Sequence, residues 1–147
     1  SLTVKEHLDV NEDAKHKPMP TRFGMQWVMP EEYAQVCYYG RGPVENYIDR
    51  KESQHLGIFS QSVAEQYHAY IRPQESGNHS DVRYWQVLNA KGEGLEFKAH
   101  GPMECSSLNS IILSSLFEGR GTRFISLKAS NTEAGFNSII SIRLLGR

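Results

Sequence analysis

Apolar side chains recur at every second position in several short stretches of this chain, the period of a strand with one face turned to a core. Leu2, Val4, Leu8 and Val10 alternate in part, which suits an edge strand within a charged entering arm that closes at Pro18 and Pro20. Phe23 to Val28 and Gln35 to Tyr39 are aromatic and β-branched, with Pro30-Glu31-Glu32 between them as a turn, and they predict two strands. Gly40-Arg41-Gly42-Pro43 reads as a shaped loop, because two glycines give up backbone entropy and a proline has no N–H to donate. The stretch from Ile58 to Tyr70 is ambiguous, since Val63, Tyr67 and Tyr70 also suit a helical turn. Ile71 to Asp81, with Pro73, Gly77, Asn78 and Ser80, reads as a long irregular loop. Val82 to Leu88 and Leu95 to Ala99 predict a hairpin joined by residues 89–94. Ile111 to Leu113, Phe124 to Leu127 and Ile139 to Leu145 predict a strand each, and the whole pattern is antiparallel all-β.

Composition narrows what this β scaffold can do. A chain of 147 residues, 39% of them hydrophobic, supports one globular core, so a single domain over 1–147 is expected. Sixteen basic against 17 acidic side chains leave a formal charge of −1, which provides no field to draw in nucleic acid or an anionic membrane. No run approaches the roughly 20 apolar residues of a membrane helix, and the first residues lack the basic head and apolar stretch of an export signal. A soluble chain is expected, with its compartment left open between cytoplasm and periplasm. Cys37 and Cys105 are far apart and have no CxxC neighbour, so they read as two semi-buried thiols. The composition also changes near Met103. Residues 1–102 hold 14 acidic and 11 basic side chains, whereas 103–147 hold three and five together with nine serines, so the tail is built differently.

Two strings carry the candidate chemistry. The first runs from Gly40, Arg41, Gly42 and Pro43 through Val44, Glu45, Asn46, Tyr47 and Ile48 to Asp49 and Arg50. Pairing of Glu45 or Asp49 with Arg41 or Arg50 would lock its shape, because arginine–carboxylate pairs are bidentate and directional. The second runs from Tyr67 to Trp85 and combines Arg72, Glu75, Asn78, Asp81 and Arg83 around a turn at Ser76-Gly77. Long ordered loops serve function or contacts between domains. A self-satisfying polar network is the favoured reading of both strings. The alternative is carbohydrate binding, with Glu45, Asn46, Arg72, Glu75, Asn78, Asp81 and Arg83 as the residues that would meet sugar hydroxyls. Retaining sugar hydrolysis by this chain alone would need two carboxyls roughly 5 Å apart, one with a raised pKa. The candidate carboxylates each lie near an arginine, which favours a lowered value. Six histidines show no HxH or HxxxH spacing, so neither a metal site nor a cofactor is expected.

The same strings carry a resemblance. Gly40-Arg41-Gly42-Pro43-x-Glu45-Asn46-Tyr47-x-Asp49-Arg50, the preceding Phe23-Gly24-Met25-Gln26, and Tyr70-Ile71-Arg72-Pro73-Gln74-Glu75-x-Gly77-Asn78 followed by Asp81-Val82-Arg83 resemble the C-terminal, small-chain domain of bacterial family 2 β-galactosidases over residues 22–108. Ser76 departs from the asparagine usual before that glycine. The resemblance implies a galactose mutarotase-like antiparallel supersandwich, present in whole or in part, that packs on a separate catalytic TIM barrel. It transfers no catalytic residue to this chain. It also implies contact with the sugar site through a tryptophan in a late Gly-Asp-Asp-Ser-Trp stretch, which is absent here, where Trp27 and Trp85 are the only tryptophans. The resemblance fades after Leu108, which sets off residues 109–147 as a divergent tail. It thus implies a non-catalytic domain of a β-galactosidase, with the barrel and the parent's other domains as partners, galactosides as candidate ligands, and a homo-oligomer compatible with the sequence. An independent carbohydrate-binding module is the competing class, and an aldose epimerase-like enzyme would rest on fold similarity alone.

Overall fold

Strands account for most of the described backbone, and several of them contain the stretches that the apolar pattern marks. The computed structural model describes residues 1–8, 23–72, 76–109, 122–129 and 136–146. Eight strands follow in chain order: β1 Leu2–Leu8, β2 Gly24–Pro30, β3 Gln35–Gly42, β4 His55–Ser62, β5 His79–Leu88, β6 Gly94–Asn109, β7 Thr122–Ala129 and β8 Phe136–Leu145. Among the described residues there is no α-helix, and two 3-10 turns, Lys51–Ser53 and Val63–Gln66, are the helical elements. Every strand pair is antiparallel. The all-β expectation therefore holds.

The strands join in the order β1-β8-β6-β5-β3-β4, with β7 also bonded to β6 and carrying β2 on its far side. The 16-residue β6 makes this branching work. Its first half pairs with β8, from Gly94 opposite Leu145 to Ala99 opposite Ile140, and its second half pairs with β7, from Met103 opposite Ala129 to Asn109 opposite Arg123. The Trp27 ring of β2 meets Phe97 of the first half edge-to-face, with centroids 6.0 Å apart. The β2–β7 pair thus covers the core instead of continuing the sheet outward. Val36, Tyr38, Val82, Trp85, Val87, Phe97, Ile125, Leu127 and Ile140 are fully enclosed there. Side chains of this kind contribute about 1.5–3 kcal/mol each on burial.

Several local expectations need correction. Gly40, Arg41 and Gly42 are not loop residues; they continue β3 and pair with Gly57, Leu56 and His55 of β4. Their glycines serve close approach within the sheet. A Cβ on Gly40 would lie 2.8 Å from Val82 Cγ2 and 3.1 Å from its Cα, and one on Gly42 would strike the Tyr38 hydroxyl and the Phe59 ring. The shaped loop begins at Pro43. The end of the second string is also strand, since His79, Ser80 and Asp81 open β5. The Ile58–Tyr70 ambiguity resolves into strand to Ser62 and then a helical turn over Val63–Gln66, started by a capping box between Ser62 and Glu65. The predicted hairpin is present, with Gly94 already paired to Leu88. Pro30 closes β2, and Glu31-Glu32 form the turn. Val10, Pro18, Pro20 and the predicted strand Ile111–Leu113 lie outside the described residues.

Candidate functional site

The two polar strings meet because β3 and β5 are neighbours and the loops that leave them run side by side. At the β5 end the ladder breaks register between His79 and Val82 and again before Tyr84, and Asp81 takes a positive φ of 55°. Aspartate is among the residues that tolerate this conformation. The irregularity turns the Asp81 carboxylate to Arg41 Nε at 2.7 Å and to Lys51 Nζ at 3.2 Å. Arg41 spends its remaining donors on the Lys51 carbonyl at 3.1 Å, the Gln54 carbonyl at 3.0 Å and both oxygens of Glu52 at 3.1 Å. One guanidinium thus ties β3, the 51–54 turn and β5 together. Burial pushes the Asp81 carboxyl upward, but the Arg41 and Lys51 hydrogen bonds and charges outweigh it and hold the group below the usual carboxylate range.

Glu45 and Asn46 sit one layer deeper. Glu45 is buried; its Oε1 accepts from Arg50 Nη2 at 2.5 Å and from the Tyr70 hydroxyl, and its Oε2 accepts from the Gly77 N–H at 2.6 Å. Arg50 also hydrogen-bonds the Tyr70 hydroxyl and lies 5.4 Å from the centre of the half-buried Tyr47 ring. The fully buried Asn46 donates from Nδ2 to the Arg41 and Val44 carbonyls at 3.0 Å and accepts the Ser80 N–H on Oδ1 at 3.0 Å. Its backbone is matched to Asn78 in both directions: Asn46 N–H donates to the Asn78 carbonyl at 2.7 Å, and Asn78 Nδ2 returns a bond to the Asn46 carbonyl at 2.9 Å. An asparagine amide can serve two backbone segments at once, which explains the residue type at Asn46.

His79 closes the inner side of this network. Its Nδ1 lies 3.0 Å from the Arg41 carbonyl and its Nε2 lies 2.8 Å from Gln66 Oε1, with the tautomer setting which side of the amide faces the ring. Gln66 is linked on to Gln61 at 2.6 Å. Burial pushes the His79 pKa down to about 4, against the upward pull of the Arg41 carbonyl and the Glu45 charge. The imidazole also packs on Tyr38, which stacks on Trp85. A cleft of about 170 Å³ opens beside it, lined by Val44, Glu45, Gln61, Gln66, Tyr67 and His79 among others.

The structure therefore brings Glu45, Asn46, Asn78 and Asp81 together and leaves other candidates out. Arg72, Arg83 and Asp49 are exposed, and the ion pair of Glu45 among the described residues is with Arg50. Pro43 contributes its carbonyl, which accepts from Gln61 Nε2 at 3.1 Å. Glu75 lies outside the described residues, with Pro73 and Gln74. Sequence reasoning missed His79, Gln66, Lys51 and Glu52 as members. The lysine and glutamate follow Arg50 directly and carried a charge signal; Gln66 and His79 carried none.

Comparison of the sequence with known proteins finds relatives. The family model described as the β-galactosidase small chain matches residues 1–131. A β-galactosidase of Lactobacillus delbrueckii subsp. bulgaricus is 47% identical over 79 residues, covering 54% of this chain and 8% of that protein. β-Galactosidase BgaC of Bifidobacterium adolescentis is 40% identical over 86 residues, 57% of this chain and 8% of that protein. A β-galactosidase of Halalkalibacterium halodurans is 34% identical over 106 residues, 71% of this chain and 10% of that protein. The chain thus matches about a tenth of the length of these relatives.

Proposed function

This chain belongs to the β-galactosidase small-chain family, and from that membership we propose that it serves a family 2 β-galactosidase as a non-catalytic domain, packed on the catalytic barrel and helping to shape the sugar site. In this reading the polar loops are architecture, and the parent enzyme hydrolyses terminal β-galactosides with carboxylates supplied elsewhere. The supporting observation is that the two less exposed carboxylates of the network are already committed. Glu45 is held by Arg50, Tyr70 and the Gly77 N–H, and Asp81 by Arg41 and Lys51. A glycosidase acid must instead be poised to give up a proton at neutral pH, with a raised pKa. Asp81 is displaced in the opposite direction. The supersandwich named from the resemblance extends the same proposal to the fold of the complete domain.

A second reading, an independent carbohydrate-binding module, draws on the polar cleft beside Glu45 and the half-exposed ring of Tyr67 at its rim. Titration of the chain with galactose and lactose, followed by tryptophan fluorescence, separates the two. Trp85 reports on the cleft through its ring contact with His79, at 5.6 Å between centroids. The accessory-domain proposal predicts no saturable change with either sugar. A saturable change that is lost on Tyr67→Ala would favour the module.

A further inference from the structure

We propose that the paired loops 43–50 and 67–72 form the face through which this domain docks on the catalytic remainder of a β-galactosidase, an inference that rests on the function proposed above. The two layers of these loops have opposite chemistry. The inner layer is polar and rigid: Glu45, Arg50 and Tyr70 form one cluster, and Asn46 and Asn78 cross-link the backbones on either side. The outer layer is apolar. Ile71 is fully exposed, Ile48 is 71% exposed, Val44 56% and Tyr67 50%. Connecting loops favour polar and turn-forming residues, so four large apolar side chains directed to solvent from two loops locked together call for a partner.

Three of these positions are contiguous. Val44 and Tyr67 line the cleft beside Glu45, Ile71 lines the adjoining hollow, and His68 borders both. A partly buried ion pair contributes little net stability, but it fixes the loops before any partner arrives. Pre-ordered loops avoid the entropy cost of ordering on contact. The occupant follows from length: the matched relatives carry about nine-tenths of their chain outside the region that this domain covers. The mixed charge around the patch, with Glu65 and Arg72 exposed at its margins, provides no field for a highly charged partner.

The test uses the full chain and the remainder of the 47%-identical bacterial β-galactosidase, expressed without the residues that match this chain. Binding is measured for the unaltered chain, for Ile71→Asp and Val44→Asp, and for Ile58→Asp on β4, which is 70% exposed, pairs with Tyr39 of β3 and lines neither hollow. Matching circular dichroism and urea midpoints establish that each variant is folded. The expected result is saturable binding, weakened at least tenfold by Ile71→Asp and by Val44→Asp and unchanged by Ile58→Asp. Binding that survives both loop variants would overturn this face while leaving the accessory-domain reading intact. Weakening by Ile58→Asp alone would move the interface to the sheet. Absence of binding by the folded, unaltered chain would overturn both proposals, and self-association abolished by Ile71→Asp in sedimentation velocity would replace the enzyme with a second copy as occupant.

Discussion

Inside the core, the Trp85 indole N–H reaches Ser107 Oγ at 2.9 Å, joining β5 to the far half of β6. Ser107→Ala should therefore destabilise the fold by about 1–3 kcal/mol, the cost of a buried donor left without its acceptor, read as a lower urea midpoint. His79 adds a pH dependence with a defined sign. Its folded pKa, about 4, lies below the ordinary value near 6.5, so the unfolded chain binds the extra proton between those limits. Stability should fall as the pH drops from about 6.5 to about 4, by on the order of 3 kcal/mol in all, and level off below. Urea unfolding across that range checks it, and His79→Gln should remove this slope. Asp81 acts at lower pH, its contribution present above the ordinary carboxylate value and lost as pH falls through the depressed one. At this scale the sequence was partly legible. Glu45 and Arg50 stand in one string, five residues apart, and pair as their types suggest. Arg41 could not be assigned from that string, because a register break 40 residues away delivers Asp81 to it. The His79–Gln66 contact was illegible for a similar reason: strand register and a capped turn bring two unremarkable residues together.

Elements were more legible than their edges. Alternation located β1, β2, β5, β7 and β8, because one face of each meets a core and the period of two follows directly. It fails at Gly40-Arg41-Gly42, where glycine reads as a loop signal. The glycines are there because β5 and the Tyr38 and Phe59 rings approach too closely for a Cβ. Such approaches exist only in three dimensions. Two other glycines separate conformation from crowding. Gly77 has a φ of 74° and would place a Cβ 2.7 Å from the Gln66 carbonyl oxygen, whereas Gly92 has a φ of 78° with open space around it. Gly92→Ala should cost about 1 kcal/mol from backbone conformation alone. Gly77→Ala should cost more, by a further 1–3 kcal/mol or so, since the displaced segment also carries the N–H that serves Glu45. Thermal unfolding of the two variants side by side measures the difference.

For the whole molecule, the question is what the C-terminal stretch does. Its composition differs, yet Ile125, Leu127, Ile140 and Ile142 are buried in the shared core, and β7 and β8 between them pair along most of β6. A chain ending at Asn109 should lose cooperative unfolding, which circular dichroism against urea would reveal. We retain as a proposal that residues 109–147 are a divergent or frame-shifted tail on a family-like core of 22–108; a Gly-Asp-Asp-Ser-Trp reading frame downstream of codon 108 supports it, and its absence removes it. The family match itself continues to residue 131. Fold class was readable from the apolar alternation and kinship from two strings of residues, but the division into an inner polar lock and an outer apolar face was not, because exposure is a property of the assembled fold. The central claim, a non-catalytic domain that acts through its parent enzyme, meets its most direct test in β-galactoside hydrolysis by a β-galactosidase lacking the matching segment, assayed with and without this chain. The account predicts no hydrolysis by the chain alone and restored hydrolysis on mixing; hydrolysis by the chain alone would contradict it.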